Sequence, residues 1–237
     1  MGKILVVNDD GIESERIVLL AELARAFGEV TVVAPRAQCS AMSRRITVRG
    51  DILCEDRTEA FGVEGVTAYA IDGTPADCVK VGYYYLCQGV ELVFSGINYG
   101  YNVGSDLYYS GTMGAALEAL ARGVNAIAYS ADAGEEYGAI RRHFAPVTEE
   151  ILKKGFPADA VWNVNFPALG QAEVKGVLWE RVPDPGCFFV DHYEERTEGG
   201  NRIFTAGMHP AAEGHDGTDI EAVLDGFVSV GLYHASY

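Results

Sequence analysis

The chain has 237 residues, 49% of them apolar and 22% charged, and 34 acidic against 18 basic side chains leave a formal charge of −16. At about 150 residues per domain, that is one large domain or one with an appendage, big enough to bury a core without disulfide staples. No apolar run nears the roughly 18 residues of a membrane span, the start MGKILVVNDDG does not read as a signal peptide, and so acidic a chain lacks the basic face that binds nucleic-acid polymers.

Ile4–Val7 is a continuous apolar run, which predicts a strand covered on both faces. Ile17, Leu20, Ala21, Ala24 and Phe27 recur at helical spacing, with Gly28 as the predicted stop. Val30–Ala34 predicts a second strand, cut by Pro35. Thr74 is placed to cap a helix, with Pro75 at its first position and Asp77 three residues after the cap. Val90–Phe94 is a third buried-type strand, Thr112–Arg122 a helix ending at Gly123, and Ala126–Ser130 a strand. A helix around Glu149–Lys154 closes at Gly155, and Ala160–Asn165 reads as a strand ending at Pro167. This alternation predicts an α/β fold with a mostly parallel, Rossmann-like sheet flanked by helices. From Val174 the runs VKGVLWERV, CFFVDHY and RIFTAG suggest antiparallel hairpins, before a helix opening at Gly217-Thr218-Asp219 and a late strand over Phe227–Val230. The expected division is a core carrying the site over residues 1–170 and a β-rich extension over 171–237, an oligomerisation arm that returns to the core. Cys39, Cys54, Cys78, Cys87 and Cys187 are scattered and include no CxxC pair, which points to a reduced, cytoplasmic protein.

Ligands of open α/β sheets sit beyond the carboxyl ends of the strands, and four polar clusters fall there. In Asn8-Asp9-Asp10-Gly11, a turn at Gly11 would let both carboxylates face one hard divalent cation; the alternative is a solvated turn ahead of a helix. Pro35–Ser40 offers the hydroxyl of Ser40, with Ser43 just beyond, or is an ordinary Ser-containing loop. Ser95–Gly104 alternates Gly and Asn and is expected to be a loop that presents backbone N–H groups and amide oxygens. Tyr109-Ser110-Gly111-Thr112 leads into a helix and forms an anion cradle, or a simple cap. Together they suggest a metal-plus-phosphate site. A P-loop is excluded because GxxxxGK[ST] is absent, and no GxGxxG follows the first strand.

The same segments, ILVVNDDGI, APRAQCSAMS, GTPADCV, SGINYGYNVGSDLYYSGTMGAALEA and a late GTD, resemble the SurE (survival protein E) family of metal-dependent nucleoside monophosphate phosphatases over roughly the first 130 residues. The resemblance implies a SurE-like fold and a divalent metal, Mg²⁺ or Mn²⁺, held by Asp9, Asp10, Ser40 and Asn98. It implies phosphate contacts from Ser110, Gly111 and Thr112, with Asn8, Ser40 and Asn102 nearby. Asp9, Asp10, Ser110 and Thr112 are then the catalytic candidates for hydrolysis of nucleoside 5′- or 3′-monophosphates. Arg36 stands where the family usually has Asp, and Arg16 where it commonly has Gly. Short-chain exopolyphosphatase activity and a non-catalytic nucleotide-sensing module are the competing readings. His143, His192, His209, His215 and His234 fall outside the four clusters. Trp179, Phe188, Phe189, Tyr193 and Phe204 read as exposed aromatics in the C-terminal runs, and with the resemblance they imply a homodimer or homotetramer.

Overall fold

The computed structural model describes residues 2–134, 137–167, 174–211 and 213–235. The elements in chain order are β1 (Gly2–Val7), α1 (Glu15–Ala24), β2 (Gly28–Pro35), β3 (Cys54–Asp56), α2 (Thr58–Phe61), β4 (Thr67–Ile71), α3 (Pro75–Val81), β5 (Val90–Tyr99), α4 (Gly111–Ala121), β6 (Asn125–Ala131), α5 (Gly138–Lys154), β7 (Ala160–Phe166), β8 (Val177–Leu178), β9 (Phe189–Glu198), β10 (Asn201–Pro210), α6 (Asp219–Leu224) and β11 (Val228–His234). Among the described residues, nine strands form one sheet in the order β3-β4-β2-β1-β5-β6-β7-β11-β8. Its centre is parallel; β3 against β4 and β11 against β7 are antiparallel.

The continuous apolar runs are explained by burial on both faces. Along β1, Ile4 and Val6 join a core beneath α1 and α5, while Leu5 and Val7 join one beneath α3 and α4. Phe94, Tyr129 and Phe144 pack ring against ring in the first of these cores. The cap at Thr74 forms as expected: its side chain accepts from the Asp77 N–H, and the Asp77 carboxylate accepts from the Thr74 N–H.

Several elements depart from the sequence expectation. Helix α1 ends at Ala24, and Gly28 opens β2 rather than stopping a helix; Phe27 turns inward onto Phe94 and Phe144. Strand β5 runs through Ser95–Tyr99, where a loop was expected, with its register to β6 shifting between Ser95 and Asn98. Edge strand β3 and its neighbour β4 are additions to the expected order of elements. Helix α5 is far longer than its expected last turn and includes Pro146, which masked its first half. In the C-terminal region, one hairpin forms among the described residues, from β9 and β10; VKGVLWERV instead supplies β8, parallel to β11 at the edge of the main sheet. The aromatics of this region divide. Phe188 is buried beside Tyr101 and Trp179 packs on Trp162, whereas Tyr193 and Phe204 are exposed on the hairpin. The expected boundary between residues 170 and 171 lies outside the described residues.

Candidate active site

After β1 the chain goes to β2 on one side, and β5 lies on the other, so the carboxyl end of β1 is a topological switch point. Strand β1 stops at Val7, and Gly11, at φ +96°, lets the chain turn. Asn8 closes that turn: its Nδ2 donates to the Gly11 carbonyl at 2.9 Å, and its Oδ1 accepts from the Gly11 N–H at 3.3 Å. Asp9 is buried, and its Oδ1 accepts from Thr112 Oγ1 at 2.7 Å. Burial pushes its carboxyl up to about 7, and the charge of Asp10 adds to this against the Thr112 hydrogen bond. Asp10, half-buried, accepts from the Tyr99 N–H at 3.1 Å. Burial raises its pKa too, opposed by that hydrogen bond, the Arg16 charge and the Gln38 side chain.

Helix α4 starts against this pair. Ser110 caps it by accepting from the Met113 N–H at 3.1 Å. Gly111 faces Asp9 so closely that a Cβ there would lie 2.9 Å from the carboxylate Oδ2. Ser95 Oγ donates to the Thr112 carbonyl at 2.8 Å, pinning the helix start to β5. The loop carrying Ser40 is anchored on both sides: the Cys39 N–H donates to the Asp9 carbonyl at 2.7 Å and the Ser43 N–H to the Tyr109 carbonyl at 2.9 Å. Ser40 itself is exposed. Asn98 spends its Nδ2 on the Gly100 carbonyl at 2.8 Å, leaving the amide Oδ1 to face a cation or accept a hydrogen bond.

The structure therefore gathers Asp9, Asp10, Asn98, Ser110, Gly111 and Thr112 at one sheet edge, with the Ser40 loop beside them. Asn102 is differently employed. It is buried, its Nδ2 donates to Ser130 Oγ at 2.8 Å, its N–H donates to Asn165 Oδ1, and its carbonyl accepts from both Asn163 and Asn165. Among the described residues no group of three or more His, Cys, Asp or Glu side chains forms. A cation here would thus rest on two carboxylates plus neutral Asn and Ser oxygens, a hard all-oxygen set.

A family profile described as "Survival protein SurE" matches residues 4–184. A "5'-nucleotidase SurE 1" of Thermus thermophilus is 42% identical over 96% of this chain and 90% of its own length. A "5'-nucleotidase SurE" of Geobacter sulfurreducens is 38% identical over 98% and 87%. The crystal structure of the SurE protein from Aquifex aeolicus superposes with a TM-score of 0.83, at 32% identity, covering 98% of this chain and 93% of that one. This chain belongs to the SurE family.

Beside this cluster opens a cavity of about 910 Å³, whose wall includes Ser43, Arg44, Tyr108, Ser110, Trp179 and Tyr233. Ser110 is where cavity and cradle meet; Asp9, Asp10 and Asn98 lie outside it. Sequence reasoning missed the supports of the site. Asn163 and Asn165 alternate along β7 and so share one face, a signal that was present in NVNFP. Asp219 carried the late GTD motif, but its role emerges only here. Burial pushes its carboxyl up to about 6, and it accepts from the Gly104 and Asp184 N–H groups. It thereby ties the C-terminal region to the loop ahead of α4. His215 bonds Asp184, His234 bonds Asp159, His192 pairs with Glu194, and His209 contacts the Val190 carbonyl, all away from the cluster.

Proposed function

We propose that this chain is a metal-dependent phosphatase that hydrolyses nucleoside 5′-monophosphates to nucleoside and phosphate, with 3′-monophosphates as a second substrate class. The observation that carries this reading is the buried Asp9 beside Asp10 at the N-terminus of α4, a place for a cation and a phosphoryl group at once. Asp9, Asp10, Asn98 and Ser40 hold Mg²⁺ or Mn²⁺ in this reading. When bound, such an ion supplies Lewis acidity toward the phosphoryl oxygens and acidifies a bound water. Thr112 spends its hydroxyl proton on Asp9, and its backbone N–H also faces that carboxylate, so both groups orient Asp9. Ser110 accepts from Met113 through its oxygen, which leaves its O–H free to donate to a phosphoryl oxygen as charge builds there. Gly111 lets the phosphate approach the helix start with no side chain in the way.

The rings of Tyr108, Tyr233 and Trp179 in the cavity wall favour a nucleoside over polyphosphate, because a nucleobase can stack on them and a phosphate chain cannot. Phosphate release from a panel of nucleotides and short polyphosphates, with Mg²⁺, Mn²⁺ or EDTA, tests the reading. Metal-dependent release from monophosphates supports it, polymer preference favours the exopolyphosphatase, and no release with any metal favours a sensing module. The reading also includes assembly: the hairpin of β9 and β10, with Tyr193, Phe204 and Met208 exposed, packs on a second copy to give a homodimer or homotetramer.

A further inference from the structure

Arg16 sits in the first turn of α1 and is only 3% exposed, unusual for a residue bearing a full charge. A buried guanidinium needs acceptors for its donors, and here they are backbone carbonyls. Nη1 donates to the carbonyls of Asn98 at 2.8 Å and Ala131 at 3.1 Å, and Nη2 to those of Asp132 at 2.5 Å and Gly134 at 2.6 Å. The Tyr99 ring lies 4.6 Å from its Cζ and the Tyr137 ring 5.8 Å. One rigid planar fork thus joins the end of β5 to the turn after β6. With its donors occupied by these carbonyls, the group is poorly placed to bind a substrate phosphate.

The segment it grips supplies two groups of the candidate site. Asn98 carries the amide Oδ1, and the Tyr99 N–H orients Asp10 through its 3.1 Å bond to Oδ2. Among the described residues no other side chain of α1 hydrogen-bonds to this segment, and the shift in register between β5 and β6 falls beside it. Beyond that shift Asn98 and Tyr99 pair again with Ser130 and Ala131, and the Arg16 fork adds a second hold on this displaced strand end. We propose that Arg16 is a positioning residue for the cation site: by clamping the Asn98 carbonyl and the Tyr99 ring, it sets the distance of the Asn98 amide and the Tyr99 N–H from the Asp9–Asp10 pair. This rests on the reading of that notch as a divalent-cation site.

The test is calorimetric titration of Mn²⁺ into metal-stripped protein, at a temperature where thermal melts show each variant folded. Arg16→Lys keeps the buried charge but cannot span four carbonyls. It is expected to lower Mn²⁺ affinity about tenfold or more, the usual loss when an outer support of a metal ligand is removed. At saturating Mn²⁺, kcat should recover while the Mn²⁺ needed for half-activity stays raised, a split that general loss of stability does not produce. Tyr99→Leu changes an exposed residue, 56% accessible, and removes the ring that seats the guanidinium without touching the buried charge. It should shift affinity in the same direction by about threefold, and it decides the matter if Arg16→Lys does not fold. Folded variants that titrate like the wild type overturn the role of Arg16 alone. A wild-type protein that takes up no Mn²⁺ overturns the cation site and this role together.

Discussion

Asp9 carries the sharpest conflict between stability and function at the scale of single residues. Its carboxyl is pushed up to about 7 by burial, well above its value in an unfolded chain. Between about pH 4 and pH 7 the folded protein therefore holds a proton that the unfolded chain has released, and stability falls as pH rises through that window. Asp9→Asn should abolish this slope and raise the stability of the metal-free protein at pH 8 by on the order of 2 kcal/mol, since Asn still accepts from Thr112 and carries no charge. The same variant should lose phosphatase activity by about a thousandfold. Paired thermal melts at pH 5 and pH 8 check the first claim, and phosphate release the second. A variant that gains nothing at pH 8 would show that the carboxylate is not penalised by its burial. Ser110 sits at the other end of the scale. In the proposed mechanism its hydroxyl meets charge that grows only in the transition state, so Ser110→Ala should lower kcat about 10- to 100-fold with KM within about threefold. A pure KM effect would instead mean that the hydroxyl holds substrate and transition state equally.

Helix α4 and the Ser40 loop form the critical pair at the scale of elements. They touch through a glycine: a Cβ on Gly114 would lie 2.0 Å from the Ser43 carbonyl oxygen, backbone that cannot swing away like a side chain. Ala is the better helix former by about 1 kcal/mol, yet here the clash outweighs propensity. Gly114→Ala should cost about 2 kcal/mol of stability, seen as a lower denaturant midpoint, and should weaken Mn²⁺ binding because the loop carrying Ser40 is pushed off the cradle. Unchanged metal affinity would place Ser40 outside the ligand set.

At the scale of the whole molecule, the proposed assembly turns on the hairpin of β9 and β10. Its base is closed by the pairing of Phe189 with Pro210, and Phe188 and Phe189 are tied down by N–H bonds to Asp106 at 2.9 Å. Excising Val190–His209 and bridging the gap with a short Gly-Ser link should leave the nine-stranded sheet intact. Light scattering at micromolar concentration should then give the mass of one shortened chain, below 25.5 kDa, against a multiple of 25.5 kDa for the full chain. A full chain already at 25.5 kDa sinks the arm. The main sheet is closed independently of the arm, because β11 pairs antiparallel with β7 and carries β8 on its outer side.

The chain order of strands and helices through residue 131 was mostly legible because parallel strands buried on both faces are written as unbroken apolar runs, such as Ile4–Val7 and Val90–Phe94. The cap at Thr74 and the four polar clusters were legible for a similar reason: capping and turning need particular residue types at particular spacings. What the local pattern could not contain is which distant segments meet. The tethers of Arg16 to residues 98–134, of Asn102 to Ser130, Asn163 and Asn165, and of Asp219 to Gly104 each join residues 28 or more apart in the chain. The same holds for the C-terminal runs. Alternation identified β9 and β10 as strands, but VKGVLWERV was free to pair with any open edge. Only the packed sheet, with β11 already beside β7, offered it the parallel partner that it takes. Side-chain chemistry is local and can be read along the chain, whereas the burial that raises Asp9 and the carbonyls that hold Arg16 exist only once the elements have closed on one another.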